Sequence, residues 1–300
     1  MELTSVQQRT LDGLIEPGAS TAFPDGLDSL LGDRLDAAAR RLDLSEKMWL
    51  HKRLINQLLQ CEGHGQAALL GEEDAFTFSP KSATGTLLHK VIELEVVSRD
   101  ELDVGQIAES AAERLREDEA FGEFWNQLDR LQRDEVLMDA VRVADQFRST
   151  FPPLRELRRE LSPVTELRLR AEFADGKLTV SGRPDLVLGQ VRADGATRLL
   201  VDLKTGDARA EYPEDLRLYA LIHTLRFGVP PRRVASLFLD SGIAQAEDVT
   251  QETLEHAADR VIKAAGKAAD LLEGEPALTP GPYCSWCPRG LTCPESLARD

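Results

Sequence analysis

The feature that most constrains this chain is the dipeptide Asp175-Gly176, which separates two partly alternating runs, VTELRLRAEF and KLTVSGRPDLVLG. Asp-Gly between such runs signals a tight hairpin, and centring the hairpin on it pairs residues whose numbers sum to 351. Glu166 then faces Asp185. A third run, TRLLVDLK, follows a second turn signal at Ala193-Asp194-Gly195, so the stretch from Pro163 to Lys204 reads as a three-stranded meander. The second turn allows a sum of 387, with Asp185 opposite Asp202, or of 389, with Asp185 opposite Lys204. Side chains alternate along a strand, so either register places Glu166, Asp185, Asp202 and Lys204 on one sheet face.

Three carboxylates side by side repel one another unless a cation offsets their charge. Carboxylate oxygens suit Mg²⁺ or Mn²⁺, hard ions that retain waters and bind phosphate. A lysine beside them is placed to orient or help deprotonate a metal-bound water for attack on phosphorus. The plain alternative is a solvated strand face whose charges pair weakly at the surface.

Residues 1 to about 160 read as mostly helical, with apolar spacing such as Leu50, Leu54, Leu58 and then Leu87, Leu88, Val91, Ile92, and with no convincing strand. After the meander the pattern predicts a helix from Asp215 to Phe227, a strand at VASLFLD, and a long helix from about Thr250 to Leu272. The tail from Pro276 is rich in Pro, Gly and Cys. No GxxxxGK[ST] loop is present, so an NTP-driven motor is not expected. The chain has no run of about 18 apolar residues and no basic-then-apolar leader, which sets the expectation of a cytoplasmic protein without membrane contact.

A net charge of −16 argues at first against a polyanionic partner. The charge is unevenly spread. Asp100 to Glu135 holds twelve acids and four bases, and Glu247 to Glu275 eight and three, whereas Arg148 to Arg170 holds six arginines and three acids. Phosphate affinity depends on local cation placement, so an acidic protein can carry a basic groove.

GRPDLV followed by LLVDLKTG, with an upstream GTLLHKVIE helix and a downstream DLRLYALI helix, resembles a PD-(D/E)XK nuclease of the RecB-like branch, from about Gly85 to the C-terminus. The resemblance implies an α/β fold with a central mixed β-sheet and flanking helices, a restriction-endonuclease-like core that hydrolyses phosphodiesters with a metal. It implies that His89 joins Asp185 and Asp202 around Mg²⁺ or Mn²⁺, that Lys204 is the catalytic lysine, and that Glu166 is a further acid one strand earlier. Tyr219 matches the tyrosine of a Q-x-x-x-Y helix motif whose members contact DNA, but Asp215 stands at the glutamine position. Taken alone, His89 and Tyr219 would read as ordinary packed helix residues.

Cys284, Cys287 and Cys293 form C-x2-C-x5-C, and Cys61 is the one other cysteine. Clustered thiols without a secretory leader point to metal ligation rather than disulfides, and four of them suit structural Zn²⁺ or an iron–sulfur cluster. In the resembling branch, AddB-type and CRISPR-associated nucleases hold a [4Fe-4S] cluster with one early cysteine and a C-terminal C-x2-C-x5-C. Such a cluster would staple the helical front to the tail, a structural rather than redox role. Relatives often carry Cys-Pro at the first position, where this chain has Cys61-Glu62.

The expected division is a helical region 1–84 carrying Cys61, a nuclease core 85–275 with a helical insertion at about 100–160, and a cysteine segment 276–300. Arg168 and Arg170 share the parity of Glu166 and are candidate DNA contacts, whereas Arg155, Arg158 and Arg159 equally fit pairing with Glu156 and Glu160. Trp49, Trp125 and Trp286 are expected in cores or against the cluster rather than as a base-stacking platform. The expected function is a metal-dependent DNA nuclease, an exonuclease in repair, recombination or defence, with a helicase or another repair or defence protein as a possible partner class. The alternatives are a non-cleaving DNA- or helicase-binding module of nuclease ancestry and a metal-stabilised protein-interaction protein.

Overall fold

In the computed structural model, which describes residues 2–15, 23–42, 44, 46–72, 76–98, 103–191, 197–206 and 208–296, the Asp175-Gly176 hairpin forms in the 351 register. Ala174, Asp175 and Gly176 all take left-handed backbone there, at φ of 50°, 58° and 82°. Helices α1 (Ser5–Ile15) and α2 (Leu27–Arg41) precede strand β1 (Met48–His51), then α3 (Lys52–Gln60), α4 (Glu62–Leu69) and α5 (Pro80–Val97). Next come α6 (Val104–Leu115), α7 (Glu119–Gln127), α8 (Arg130–Thr150) and α9 (Arg158–Leu161). The strands β2 (Val164–Thr165), β3 (Leu169–Phe173), β4 (Leu178–Gly182), β5 (Leu186–Leu188) and β6 (Leu199–Lys204) lead into α10 (Glu211–Phe227). The chain continues with β7 (Arg233–Phe238), β8 (Ile243–Asp248), α11 (Gln251–Leu271) and a 3-10 turn at Pro282–Trp286.

The predicted meander is divided between two sheets. One has the order β1-β4-β3, and the other is a mixed sheet in the order β2-β5-β6-β7-β8. Both halves of the long hairpin keep the same sum, since Val164 pairs with Val187 as Leu169 pairs with Gly182. The break falls where Glu166 turns to a positive φ of 52° and where Pro184, lacking an N–H, cannot donate to a ladder. The second hairpin takes the 387 register, with Leu186 opposite Val201. Its turn, Ala193-Asp194-Gly195, lies outside the described residues.

The mixed sheet is covered on both faces. Val187, Leu200 and Val234 pack with α2, α3, α10 and α11, while Leu186, Leu188, Leu199, Val201 and Leu203 pack with α5, α6 and α8. Burial on both faces explains why LLVDLK reads as a nearly continuous apolar run. Asp202 is the exception, placed on the Leu200 side of the strand by alternation.

Several expectations are corrected. The N-terminal region is not purely helical: β1 pairs in parallel with β4, Met48 opposite Leu178. Four residues are too few to show a strand period, and a distant partner decides the matter. The helix expected from Asp215 begins at Glu211, and the edge strand β8 is an addition to the expected elements, its AQAED stretch holding three polar residues and no buried one. Trp125 is buried, but Trp49 and Trp286 are 52% and 58% exposed, and Trp49 packs under the Arg170 guanidinium at 4.7 Å from its ring centre rather than in a core.

Candidate metal centre

The site forms where the β5–β6 ladder ends. Because that ladder pairs numbers summing to 387, Asp185, one residue before β5, falls opposite Asp202. The Leu203 N–H donates to Asp185 Oδ2 at 2.6 Å, fixing that carboxylate against the strand. From the other layer α5 supplies His89, whose Nδ1 lies 3.2 Å from Asp185 Oδ1. α5 starts cleanly because Ser79 and Ser82 form a reciprocal cap and Pro80 occupies its first turn. Glu166 donates its backbone N–H to the Asp185 carbonyl at 2.9 Å. Left-handed backbone at a non-glycine residue costs about 1–2 kcal/mol, and here it turns the Glu166 carboxylate into the site.

One ligand atom from each of His89, Glu166 and Asp185 lies within 4.8 Å of the others. Asp202 stands beside them, 1% exposed, its Oδ2 ion-paired with Lys204 and 3.8 Å from the Lys52 ammonium. Arg183 Nε holds Glu166 Oε2 at 2.8 Å.

The protonation energetics show how closely the charges depend on one another. Burial opposes the charge on His89, yet Asp185, with Asp202 and Glu166 behind it, raises its pKa above the ordinary histidine value. Burial would raise Asp185, but the facing imidazole and the Leu203 N–H hold it well below the usual carboxylate range. Asp202 is pushed up, by burial and then by Asp185, against the pull of Lys52 and Lys204. Glu166 is likewise pushed up by burial and Asp185, against Arg183. A divalent ion would substitute for the imidazolium as the counter-charge, since it favours every one of these acids in its ionised form. One imidazole and two carboxylates at these separations fit a single hard or borderline ion, whose ligands at about 2.0–2.2 Å stand about 4 Å or less apart across it.

Of the residues predicted from sequence, His89, Glu166, Asp185, Asp202 and Lys204 come together here. Tyr219 and Asp215 lie nearby on α10 and are buried, at 2% and 6% exposure. Arg168 and Arg170 are exposed on the strand side, and Arg170 also pairs with Glu172. Two residues at the site had no signal in the motif reading. Arg183 lies inside the GRPD motif without a role of its own in that pattern, and Lys52 comes from a segment more than 100 residues away in sequence.

The cysteines also converge. Cys61 is the C-cap of α3, and Cys284 lies in the 3-10 turn. Burial raises the Cys287 thiol pKa, and the neighbouring Cys61, Cys284 and Cys293 raise it further. None of the four forms a disulfide. The tail is docked on α3 and α4 by Tyr283 Oη to the Gln60 carbonyl at 3.1 Å and by Arg289 to Glu72 and Gln66. A Cβ on Gly290 would stand 2.3 Å from the Cys284 carbonyl oxygen, so this close approach requires glycine.

A sequence model of the PD-(D/E)XK nuclease superfamily matches residues 55–294. The chain belongs to that superfamily. PD-(D/E)XK proteins are in general metal-dependent nucleases. No curated protein matches this PD-(D/E)XK chain. Thirteen chains of solved structures do. Among these, the crystal structure of SSO0001 aligns at 16% identity over 71% of this chain and 97% of that one, with a TM-score of 0.32. Among the described residues no helix is long and apolar enough to cross a membrane.

Proposed function

We propose that this PD-(D/E)XK protein is a Mg²⁺- or Mn²⁺-dependent deoxyribonuclease of the RecB-like branch, an exonuclease acting in repair, recombination or defence. The observation that carries the reading is the approach of His89, Glu166 and Asp185 to within 4.8 Å, with Asp202 and its lysine alongside. His89, Asp185 and Asp202 would hold the ion, and Glu166, brought close to His89 and Asp185, would be a further ligand. A bound divalent cation supplies Lewis-acid polarisation of the phosphate and a water of lowered pKa.

This chain's own residues do the rest. Lys204 sits at the end of β6 with its ammonium on Asp202 and 4.3 Å from the Tyr212 ring centre, placed to orient the attacking water. The Leu203 N–H and Arg183 keep Asp185 and Glu166 from rotating away, so the acids are ordered before substrate arrives. Arg168 and Arg170 supply exposed positive charge on the strand side, the local cation placement a phosphate backbone requires despite the overall charge of −16.

The four cysteines are assigned to a [4Fe-4S] cluster with a structural role. What supports a shared metal group is that Cys61, Cys284 and Cys293 all act on the Cys287 thiol; four thiolates would equally hold one structural zinc ion, and the cluster is preferred on the resemblance of the C-x2-C-x5-C tail.

The test is cleavage of end-labelled linear and closed-circular DNA, single- and double-stranded, with Mg²⁺ or Mn²⁺ and anaerobically purified protein. Cutting of linear forms alone, abolished in Lys204→Ala, is expected. Cutting of circles would replace the exonuclease assignment with an endonuclease one. Wild-type rates from a folded Lys204→Ala protein would refute the active-site assignment. An inert wild type with metal and cluster confirmed present would favour a non-cleaving module or one that needs a partner.

A further inference from the structure

The site contains two lysines, and the reading above uses one. Lys52, the first residue of α3, places its Nζ 3.8 Å from Asp202 Oδ2, 3.5 Å from Asp215 Oδ2 and 5.3 Å from the Tyr219 ring centre. Lys204 reaches the same Asp202 oxygen from β6, beside the Tyr212 ring. One oxygen of a carboxylate that is 1% exposed is thus shared by two ammonium groups, each backed by a tyrosine.

The two cations are held differently. Lys204 belongs to the strand that ends in the cleft. Lys52 is tied into a buried network: Asn56, one turn along α3, donates to Asp215 Oδ1 at 2.9 Å and accepts from Arg260 at 3.0 Å. The far end of α3 is clasped as well, by Gln60 on Glu211 at 2.8 Å and by Tyr283 on the Gln60 carbonyl. A short helix fixed at both ends gives Lys52 little freedom to leave Asp202. An isolated buried carboxylate is costly, and a fixed partner sets its orientation as well as its charge. Asp215, where the family motif has glutamine, belongs to this network.

We propose that Lys52 is a positioning residue of the metal centre: it holds Oδ2 of Asp202, and so keeps that carboxylate beside Asp185, while Lys204 turns to the attacking water. The inference rests on the metal-dependent reading of the site. It makes a prediction of sign. A nearby cation with no positioning role would only repel a divalent ion, so its removal would tighten metal binding. A cation that orients a ligand would weaken binding when lost, as partners of metal ligands do by about 10–100-fold.

The experiment is Mn²⁺ titration followed by electron paramagnetic resonance of the free ion, without DNA, on wild type, Lys52→Met, Lys52→Arg, Asp215→Asn and Asp202→Asn. Thermal unfolding of each variant corrects for the folded fraction. Lys52→Met is expected to weaken Mn²⁺ about 10-fold or more, with Lys52→Arg restoring most of it. Asp215→Asn, which loosens the tether but keeps the lysine, is expected to weaken binding by a smaller factor and decides the question if Lys52→Met fails to fold. Raising Mn²⁺ to saturation should recover most of the cleavage that Lys52→Met loses at low Mn²⁺, so that the loss lies in metal affinity rather than in the chemical step. Unchanged or tighter Mn²⁺ binding in folded Lys52→Met or Asp215→Asn overturns the proposal and leaves the site reading intact. Wild type without a Mn²⁺ site that Asp202→Asn removes overturns the site reading itself, and this inference with it.

Discussion

Gly182→Ala tests whether the GRPD segment and α10 are packed as described. Gly182 ends β4 with its α-carbon against the Tyr219 ring, and an added Cβ would stand 2.5 Å from Cδ1, 2.7 Å from Cε1 and 3.5 Å from Ile222 Cδ1. In open space, replacing glycine by alanine stabilises by about 0.4–1 kcal/mol, because the unfolded chain loses freedom. Here carbons normally about 3.5–4.0 Å apart would have to coexist about 1 Å closer, and the ring is 2% exposed with Ile222 wholly buried behind it. Forcing that ring aside costs about 1–3 kcal/mol, so the steric term wins and the variant is expected to lose about 1–2 kcal/mol. The assay is urea unfolding of Gly182→Ala in the wild-type and Tyr219→Leu backgrounds. With the ring gone the alanine should cost nothing or stabilise slightly, a coupling of about 1–3 kcal/mol. Equal cost in both backgrounds would refute the packing argument. Cleavage should fall in the wild-type background as well, since Tyr219 backs Lys52 and Gly182 lies three residues before Asp185.

Two further perturbations address acid stability and the cysteines. His223 on α10 is 2% exposed, with Nδ1 3.1 Å from the Val229 carbonyl and Nε2 3.4 Å from Arg198; burial, then the Arg198 charge, depresses its pKa to about 3. Protonation therefore favours the unfolded chain: the contribution is intact above the unfolded value of about 6.5 and is lost as pH falls from there toward 3. Between pH 7 and 5 this amounts to about 2 kcal/mol, and His223→Gln should lose that much less stability over the same interval in urea titrations; parallel pH dependences would contradict it. Cys287→Ser should lower iron content and reduce the melting temperature by about 5 °C or more, because the four thiols join segments far apart in the chain. An unchanged iron content and melting temperature would remove the staple.

Some of this architecture was legible in local pattern. The Asp175-Gly176 turn set the 351 sum, which holds across both sheets, and strand parity then required Glu166, Asp185, Asp202 and Lys204 to share a side. The choice between 387 and 389 was not legible, because hairpin register there depends on turn geometry that composition leaves open. β1 and β8 escaped for the same physical reason: a short or polar strand has little period of its own and exists by virtue of its neighbour's unpaired N–H and C=O groups. The exposure of Trp49 and the burial of Tyr219 depended likewise on which face each element turned toward its neighbours.

The sequence by itself determined which chemical groups the site has and, through alternation and turn chemistry, that the acids and Lys204 lie on one lane of a sheet. It also identified four cysteines as one set. Tertiary structure decided what those groups are paired with. His89 arrives from the opposite helical layer, Arg183 clamps Glu166 across the strand break, and Lys52 reaches Asp202 from a helix whose other end is Cys61. Local pattern is carried by short-range sterics and periodicity, whereas these contacts join residues up to about 150 positions apart and come into being when the two apolar faces of the central sheet are covered.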